Sequence, residues 1–326
     1  MIKLDNIDRI GAGLERPECV LTAANGRVYT ADWRGGIGVL EADGSQWYLL
    51  PNDASLPLKP NGICLMPDNS FLIAHLGAED GGVYRIAEDG TTTPFCLEVD
   101  GMPLPPSNYV HLDSQDRVWI TVSTRQMPRS NAYTSKVQDG FIVLVDKSGT
   151  RIVADQLGYT NECSVHPDGK RLLVNETFSR KLVSFDIAEN GDLSNKKLIA
   201  EFGHGTYPDG LTFDEQGGIW VTSIVSNRVI RISPDGQHEI VLDDCDKEHL
   251  NWVEDAFQAG KMGRPHLDNA KSKKLKNISS LAFGGANRKT GYLGCLLDDC
   301  IYTFQSSITG YPPVHWNFEG PRWSGS

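Results

Sequence analysis

An all-β fold, a six-bladed β-propeller with four antiparallel strands per blade and a helical insertion between blades five and six, is predicted for this 326-residue chain. Three observations carry the prediction. One pattern recurs six times: a polar residue opens a short apolar strand, a turn of Asp, Asn, Gln or Gly follows seven residues later, and a second, more hydrophobic strand comes next. The openers Glu18, Asn61, Asn108, Asn161, Asp209 and Asn277 are spaced by 43, 47, 53, 48 and 68 residues, in the range of propeller blades. The length would ordinarily suggest two domains, but continuous repetition argues for one closed ring, so residues 1–326 are expected to form a single domain.

The elements follow in order. Residues 2–10 precede the first opener and read as an edge strand able to complete the last blade, which would join the chain ends and remove an exposed edge. Blade one runs from Glu18 to Leu50 and joins its second and third strands through Asp32-Trp33-Arg34-Gly35-Gly36. Blade two spans about 61–98. Blade three, 108–155, carries an enlarged polar connection at 123–136, a loop length often tied to function. Blade four spans 161–201 and blade five 209–242. An insertion at 244–276 then breaks the strand pattern, and Leu250, Val253, Ala256 and Phe257 recur at helical spacing, predicting a helix over 247–259. Blade six runs from Asn277 to near Trp316, and the tail from Gly320 is expected to be irregular.

Composition narrows the function. With 40% hydrophobic and 22% charged residues the chain is globular rather than disordered. A net charge of -11 disfavours nucleic acid and anionic membrane surfaces as partners, and costs a cation site nothing. No stretch approaches 18 uninterrupted apolar residues, and no basic segment with an apolar run opens the sequence. Seven cysteines, an odd number without a CxxC pair, read as free buried thiols in a reducing compartment, so a cytoplasmic location is expected. Cys19 and Cys163 are expected to be structural, as are the mid-strand Trp119 and Trp220. GxSxG, HExxH and GxGxxG signatures are absent.

In a propeller the first strand of each blade lines the central channel, so the six openers become neighbours around the axis. Two carboxylates, Glu18 and Asp209, and four amides make an oxygen-rich set that suits one hard divalent cation, Ca²⁺ first, with Mg²⁺ or Mn²⁺ behind it. Asn61 and Asn277 are expected to cap strands or hold water rather than bind the ion.

Over roughly 14–304 the chain resembles the regucalcin and gluconolactonase (senescence marker protein) family of six-bladed, metal-dependent lactonases. That family includes diisopropyl fluorophosphatase and is more distantly related to strictosidine synthase. The resemblance rests on Ser107-Asn-Tyr-Val-His-Leu-Asp with Val118-Trp-Ile-Thr, on Tyr159-Thr-Asn-Glu-Cys-Ser-Val with Val174-Asn-Glu-Thr, and on Pro208-Asp-Gly-Leu-Thr-Phe-Asp. It implies that Glu18, Asn108, Asn161 and Asp209 are the metal ligands, and it admits Zn²⁺ as a further ion. The family commonly reads Glu-Gly-Pro at its first ligand, whereas here Glu15 and Glu18 compete. Glu18 precedes its turn by seven residues, as the other openers do, and Glu15 would face the other way.

The implied reaction is hydrolysis of a lactone or similar activated ester, the metal polarising the carbonyl and Asp209 acting as general base or nucleophile. Asn108 could also turn toward the substrate. Trp33, Arg34, Tyr109, Arg125, Met127, His204 and Tyr207 are candidate substrate contacts, with the insertion as a possible lid. Sugar-lactone enzymes of the family place an arginine where this chain has Pro105-Pro106-Ser107, which argues against a plain aldonolactone, and the candidates lean toward a less polar substrate. The rival readings are a phosphotriesterase-like hydrolase, a non-catalytic ligand-binding propeller with structural calcium, and a metal-free condensing enzyme. The oligomeric state is left open.

Overall fold

The turns build the blades by one recurring device. In blade three the Asp113 carboxylate accepts the backbone N–H of Gln115 and Arg117, the Arg117 side chain at 2.7 Å and Trp119 Nε1 at 2.9 Å. Asp214 does the same in blade five, accepting from Gln216, Gly218, Trp220 Nε1 at 2.7 Å and Arg231 at 2.7 Å. One acid thus closes a hairpin, pins a core tryptophan and neutralises an arginine, which satisfies every buried polar group involved. Trp119 and Trp220 are blade core, as expected.

The computed structural model describes residues 1–322. Its main strands form six four-stranded antiparallel sheets. The inner strands are Val20–Thr22, Pro60–Leu65, Ser107–Leu112, Thr160–Val165, Tyr207–Phe213 and Ile278–Gly284. Each packs against the next, and the last against the first, closing a ring. The sixth sheet is completed by Asp8–Ile10, which pairs with Ile301–Gln305 in the register Asp8↔Thr303 and Ile10↔Ile301. The amino-terminal segment therefore supplies the closing strand, as expected. A small hairpin, Glu98–Val99 with Met102–Pro103, was not foreseen. Residues 320–322 carry no regular structure, and 323–326, the remainder of the expected irregular tail, lie outside the described residues.

The insertion contains helix α1 (Lys247–Gln258) and the short α2 (Arg264–Asp268). Asp246 caps α1 by accepting the His249 N–H at 2.8 Å. Leu250, Val253 and Phe257 are buried against Tyr133, Tyr159, Phe178 and Tyr207, so the predicted apolar face does face the propeller. Asp244 anchors the returning chain by accepting the N–H groups of Lys273, Lys274 and Leu275. All seven cysteines are free, and only Cys245 is not fully buried.

Candidate metal and catalytic centre

Strand register defines the hub. The pairs Thr22↔Val28, Leu65↔Phe71, Leu112↔Val118, Val165↔Leu172 and Phe213↔Ile219, which end the ladders of blades one to five, and Phe283↔Gly291 in blade six, which lies two residues past its register shift as Phe213 does, mark equivalent levels in the six blades. Four residues before them stand Glu18, Asn61, Asn108, Asn161, Asp209 and, in blade six, Ser279. Asn277 is thus two residues out of phase. Its side chain accepts the Val225 N–H at 2.7 Å and donates to Leu267 O at 2.9 Å, tying the insertion to blade five.

At that level the pairing register shifts in five inner strands: between Pro60 and Ile63, Ser107 and Tyr109, Thr160 and Cys163, Pro208 and Leu211, and Ile278 and Leu281. A bulge inserts an unpaired residue and re-aims its side chain. Here it frees Asn61, Asn108, Asn161, Asp209 and Ser279 from the alternation that would bury every second residue in the blade. Glycine follows two of these residues because the neighbouring strand passes so close: a Cβ on Gly62 would lie 2.6 Å from Tyr109 Cα, and one on Gly210 2.6 Å from Ser280 Cα.

The four expected ligands are all buried. Asn161 donates to Thr177 Oγ1 at 3.0 Å, which leaves its amide oxygen to face other partners, and Thr177 Oγ1 donates to Pro208 O at 2.8 Å. Asn175 braces the next strand by donating to the carbonyls of Asp209 at 2.9 Å and Gly210 at 3.1 Å. Ser279 donates to Glu18 O at 2.7 Å. The motif around Val174-Asn175-Glu176-Thr177 is therefore the frame on which Asn161 and Asp209 are held.

Burial and the neighbouring Glu18 carboxylate push Asp209 well above the usual carboxylate range, opposed by Arg16, an Asn161 hydrogen bond and Arg129. Glu162, buried next to Asn161, is likewise pushed up by burial, Asp209 and Glu18, and accepts the Leu211 N–H at 2.9 Å. Asn61 Oδ1 is buried and accepts nothing, while its Nδ2 donates to Asn108 O at 2.9 Å. Against the carboxylates of Glu18, Asp209 and Glu162 stands one ion-paired cation, Arg16. That imbalance fits a cation held by Glu18, Asn108, Asn161 and Asp209. Asp298, Asp299 and Cys300 also bring three ligand atoms within 4.8 Å of one another, but their acids serve Gly13, Arg9 and Tyr302 at the closure between blades one and six.

The expected substrate contacts have different fates. Trp33 stands half-buried at the hub's edge, its ring 4.5 Å from the Arg16 guanidinium, which pairs with Glu18 at 3.1 Å. Tyr109 lines an internal space of about 300 Å³ along the channel, with Glu162, His111 and His315, rather than the mouth. Arg125 is bound to Asp155 on the outer strand of blade three at 2.7 and 3.1 Å and stacks on Phe141. Arg34 pairs with Asp32 at 2.8 Å and covers Tyr48. His204 and Met127 are exposed. Tyr207 is fully buried, its hydroxyl spent on Glu254 at 2.7 Å and Arg180 at 2.8 Å.

Residues not foreseen complete the mouth. Arg16, between two recognised glutamates, adopts φ 50, a left-handed conformation that is uncommon outside glycine, and there it reaches Glu18. Arg129 comes from the enlarged loop of blade three and donates to the Tyr159 hydroxyl at 2.8 Å. Tyr133, Tyr159 and Phe178 form a ring cluster with centroids 4.7 to 5.6 Å apart. The length and polarity of the loop were the only signal for Arg129.

Residues 17–243 match the model of the SMP-30/gluconolactonase/LRE-like region. The chain belongs to that family. Among curated relatives, a 6-deoxy-6-sulfogluconolactonase of Pseudomonas putida is 32% identical over 156 residues, covering 47% of this chain and 48% of the relative. The diisopropyl-fluorophosphatase of Loligo vulgaris is 29% identical over 168 residues, covering 48% and 52%. The chain spans about half the length of these relatives. Among solved structures, a gluconolactonase of Xanthomonas campestris superposes with TM-score 0.67 at 16% identity over 94% of this chain and 89% of that one. The calcium-binding regucalcin of Agrobacterium tumefaciens gives 0.66 at 17% identity over 97% of each chain. These structures share the propeller fold of the family. No helix among the described residues is long and apolar enough to cross a membrane.

Proposed function

We propose that the protein is a metal-dependent hydrolase that opens a lactone or a similar activated ester. One observation carries the reading: two buried carboxylates, Glu18 and Asp209, stand at one level of the hub with the amides of Asn108 and Asn161, and a single arginine, Arg16, pairs with Glu18. Membership of a family that includes lactonases, and the lactonase named among the relatives, support it.

Glu18, Asn108, Asn161 and Asp209 would hold one divalent ion, Ca²⁺ by choice of ligand, with Mg²⁺, Mn²⁺ or Zn²⁺ as alternatives. The bound ion supplies a Lewis acid for the carbonyl oxygen. The chain does the rest. Asp209, braced through its carbonyl by Asn175, takes a proton from water as general base or attacks the acyl carbon itself. Asn108, at the same level of the ring, turns its amide toward substrate or ion. Trp33, held by donating its Nε1–H to Pro60 O at 3.0 Å, would wall one side of the mouth. Buried aromatic rings wall another. No thiol competes as nucleophile, since burial pushes Cys64 up to about 12 and Cys19 well above its usual range. Seven unpaired thiols also support a reducing, cytoplasmic setting.

Turnover of a lactone panel with each divalent ion, then after chelation and add-back, tests the reading. Hydrolysis that disappears with the metal and returns with it supports the lactonase. Phosphotriester turnover in preference to lactones would favour the second hydrolase reading, motivated by the fluorophosphatase relative. Tight metal with no turnover of either would leave a ligand-binding propeller.

A further inference from the structure

We infer that Arg129 is a recognition site for an oxyanion carried by the substrate, so that the lactone or ester handled here bears a carboxylate, sulfonate or phosphate away from the scissile bond. This rests on the hydrolase reading for the reaction but not for the binding.

Arg129 begins a short 3₁₀ turn, Arg129–Ala132, in the enlarged loop of blade three. Its guanidinium is half-buried, and its one hydrogen bond is from Nη2 to the Tyr159 hydroxyl at 2.8 Å. Nε is buried without a partner, and among the described residues no carboxylate lies within 4.0 Å of it. An unpaired, partly desolvated guanidinium is costly, and a chain with net charge -11 has acids to spare for pairing it. Other arginines near the mouth do have such partners: Arg16 pairs with Glu18, Arg180 with Glu254, and Arg264 with Asp268. Arg129 alone is left open.

Its position makes the vacancy useful. Tyr159 lies two residues before Asn161 on the path into the inner strand of blade four, and its carbonyl accepts the N–H of Thr177 at 3.1 Å, whose hydroxyl in turn accepts from Asn161 at 3.0 Å. A ligand whose carbonyl sits at the hub can therefore reach Arg129 with a substituent. The planar guanidinium offers free N–H groups in a fork that matches oxyanions bidentately, which a neutral hydroxyl would not exploit. A cation is thus present, on a different loop from Pro105-Pro106-Ser107, against the expectation of a less polar substrate drawn from the aromatic and apolar candidates.

Calorimetric titration of the Ca²⁺-loaded protein with gluconolactam, whose ring amide resists hydrolysis, and with derivatives carrying carboxylate, sulfonate or phosphate at the exocyclic carbon provides the test. At least one anionic lactam should bind about tenfold or more tighter than the neutral one, the size of one charge-assisted contact, and less so in high salt. The arms of the series identify which oxyanion is preferred. Arg129→Met should erase the difference, and Arg129→Lys should keep part of it. Should the Met variant fail to fold, the Lys variant and the salt dependence of the wild type decide. Equal binding of charged and neutral lactams, or a preference that survives in Arg129→Met, overturns the inference. Anion-selective binding without turnover of the matching lactones would overturn the hydrolase reading and leave Arg129's role intact.

Discussion

At the scale of single residues, the account turns on acids that burial makes expensive. Asp209 and Glu18 share a desolvated hub, so replacing either by its amide removes charge without removing volume. Asp209→Asn should lower kcat on any lactone substrate by about a hundredfold or more while far-ultraviolet circular dichroism and the melting temperature hold, because like-charge repulsion is relieved. Retained activity would take Asp209 out of the chemistry. The seven-residue spacing from opener to turn was enough to bring Glu18, Asn108, Asn161 and Asp209 to one level of the ring, and each stands four residues before a ladder pair. It misled at Asn277. In blade six the inner strand runs on to Gly284, which pairs with Thr290, so counting back from the glycine pair lands two residues short of Ser279. Arg16 and Arg129 were not legible for a different reason. They sit on loops, and what a loop side chain meets is decided by ring closure rather than by local pattern.

At the scale of elements, bulges and one helix do the positioning. Strand alternation predicted which residues face inward, but the register shift in five of the six inner strands is a ladder property that a sequence does not display. Helix α1 was legible from the spacing of Leu250, Val253 and Phe257; its buried Glu254 was not, because an acid on that face reads as an error until Arg180 and Tyr207 are seen to meet it. Glu254 accepts from Gly205 N–H at 2.9 Å, Tyr207 Oη at 2.7 Å and Arg180, fixing the segment that leads to Asp209. Arg180→Met strands a buried carboxylate and should cost about 3 to 5 kcal/mol in denaturant unfolding. The double variant Arg180→Met/Glu254→Leu should recover much of that loss, and a simple sum of two separate losses would show that the pair is not coupled.

At the scale of the whole molecule, closure and acidity set the limits. Asp8–Ile10 completes blade six, Ile7 is buried among Trp220, Tyr302 and Phe304, and Ile2 N–H reaches Val241 O at 2.7 Å. Deleting residues 1–10 should lower the melting temperature and expose a sheet edge that self-associates, visible as concentration-dependent scattering. Burial also pushes His111 and His315, on the walls of the channel space, down to about 4. Both stay neutral in the fold while the unfolded chain takes up protons near pH 6.5, so their contribution is whole above that pH and is lost as pH falls toward 4. The raised carboxyls of Asp209 and Glu162 act in the opposite sense over the same range, so the histidine contribution is read by difference: between pH 7.5 and pH 5 the melting temperature of His315→Gln should fall less, or rise more, than that of the wild type.

The most direct measurement is calorimetric titration of metal-stripped protein with Ca²⁺, repeated with Glu18→Gln and Asp209→Asn. One ion per chain in the wild type, with binding lost or weakened by orders of magnitude in both variants, is the predicted result. Undiminished binding in both variants, or no binding of any divalent ion by the wild type, would contradict a cation held between these two acids.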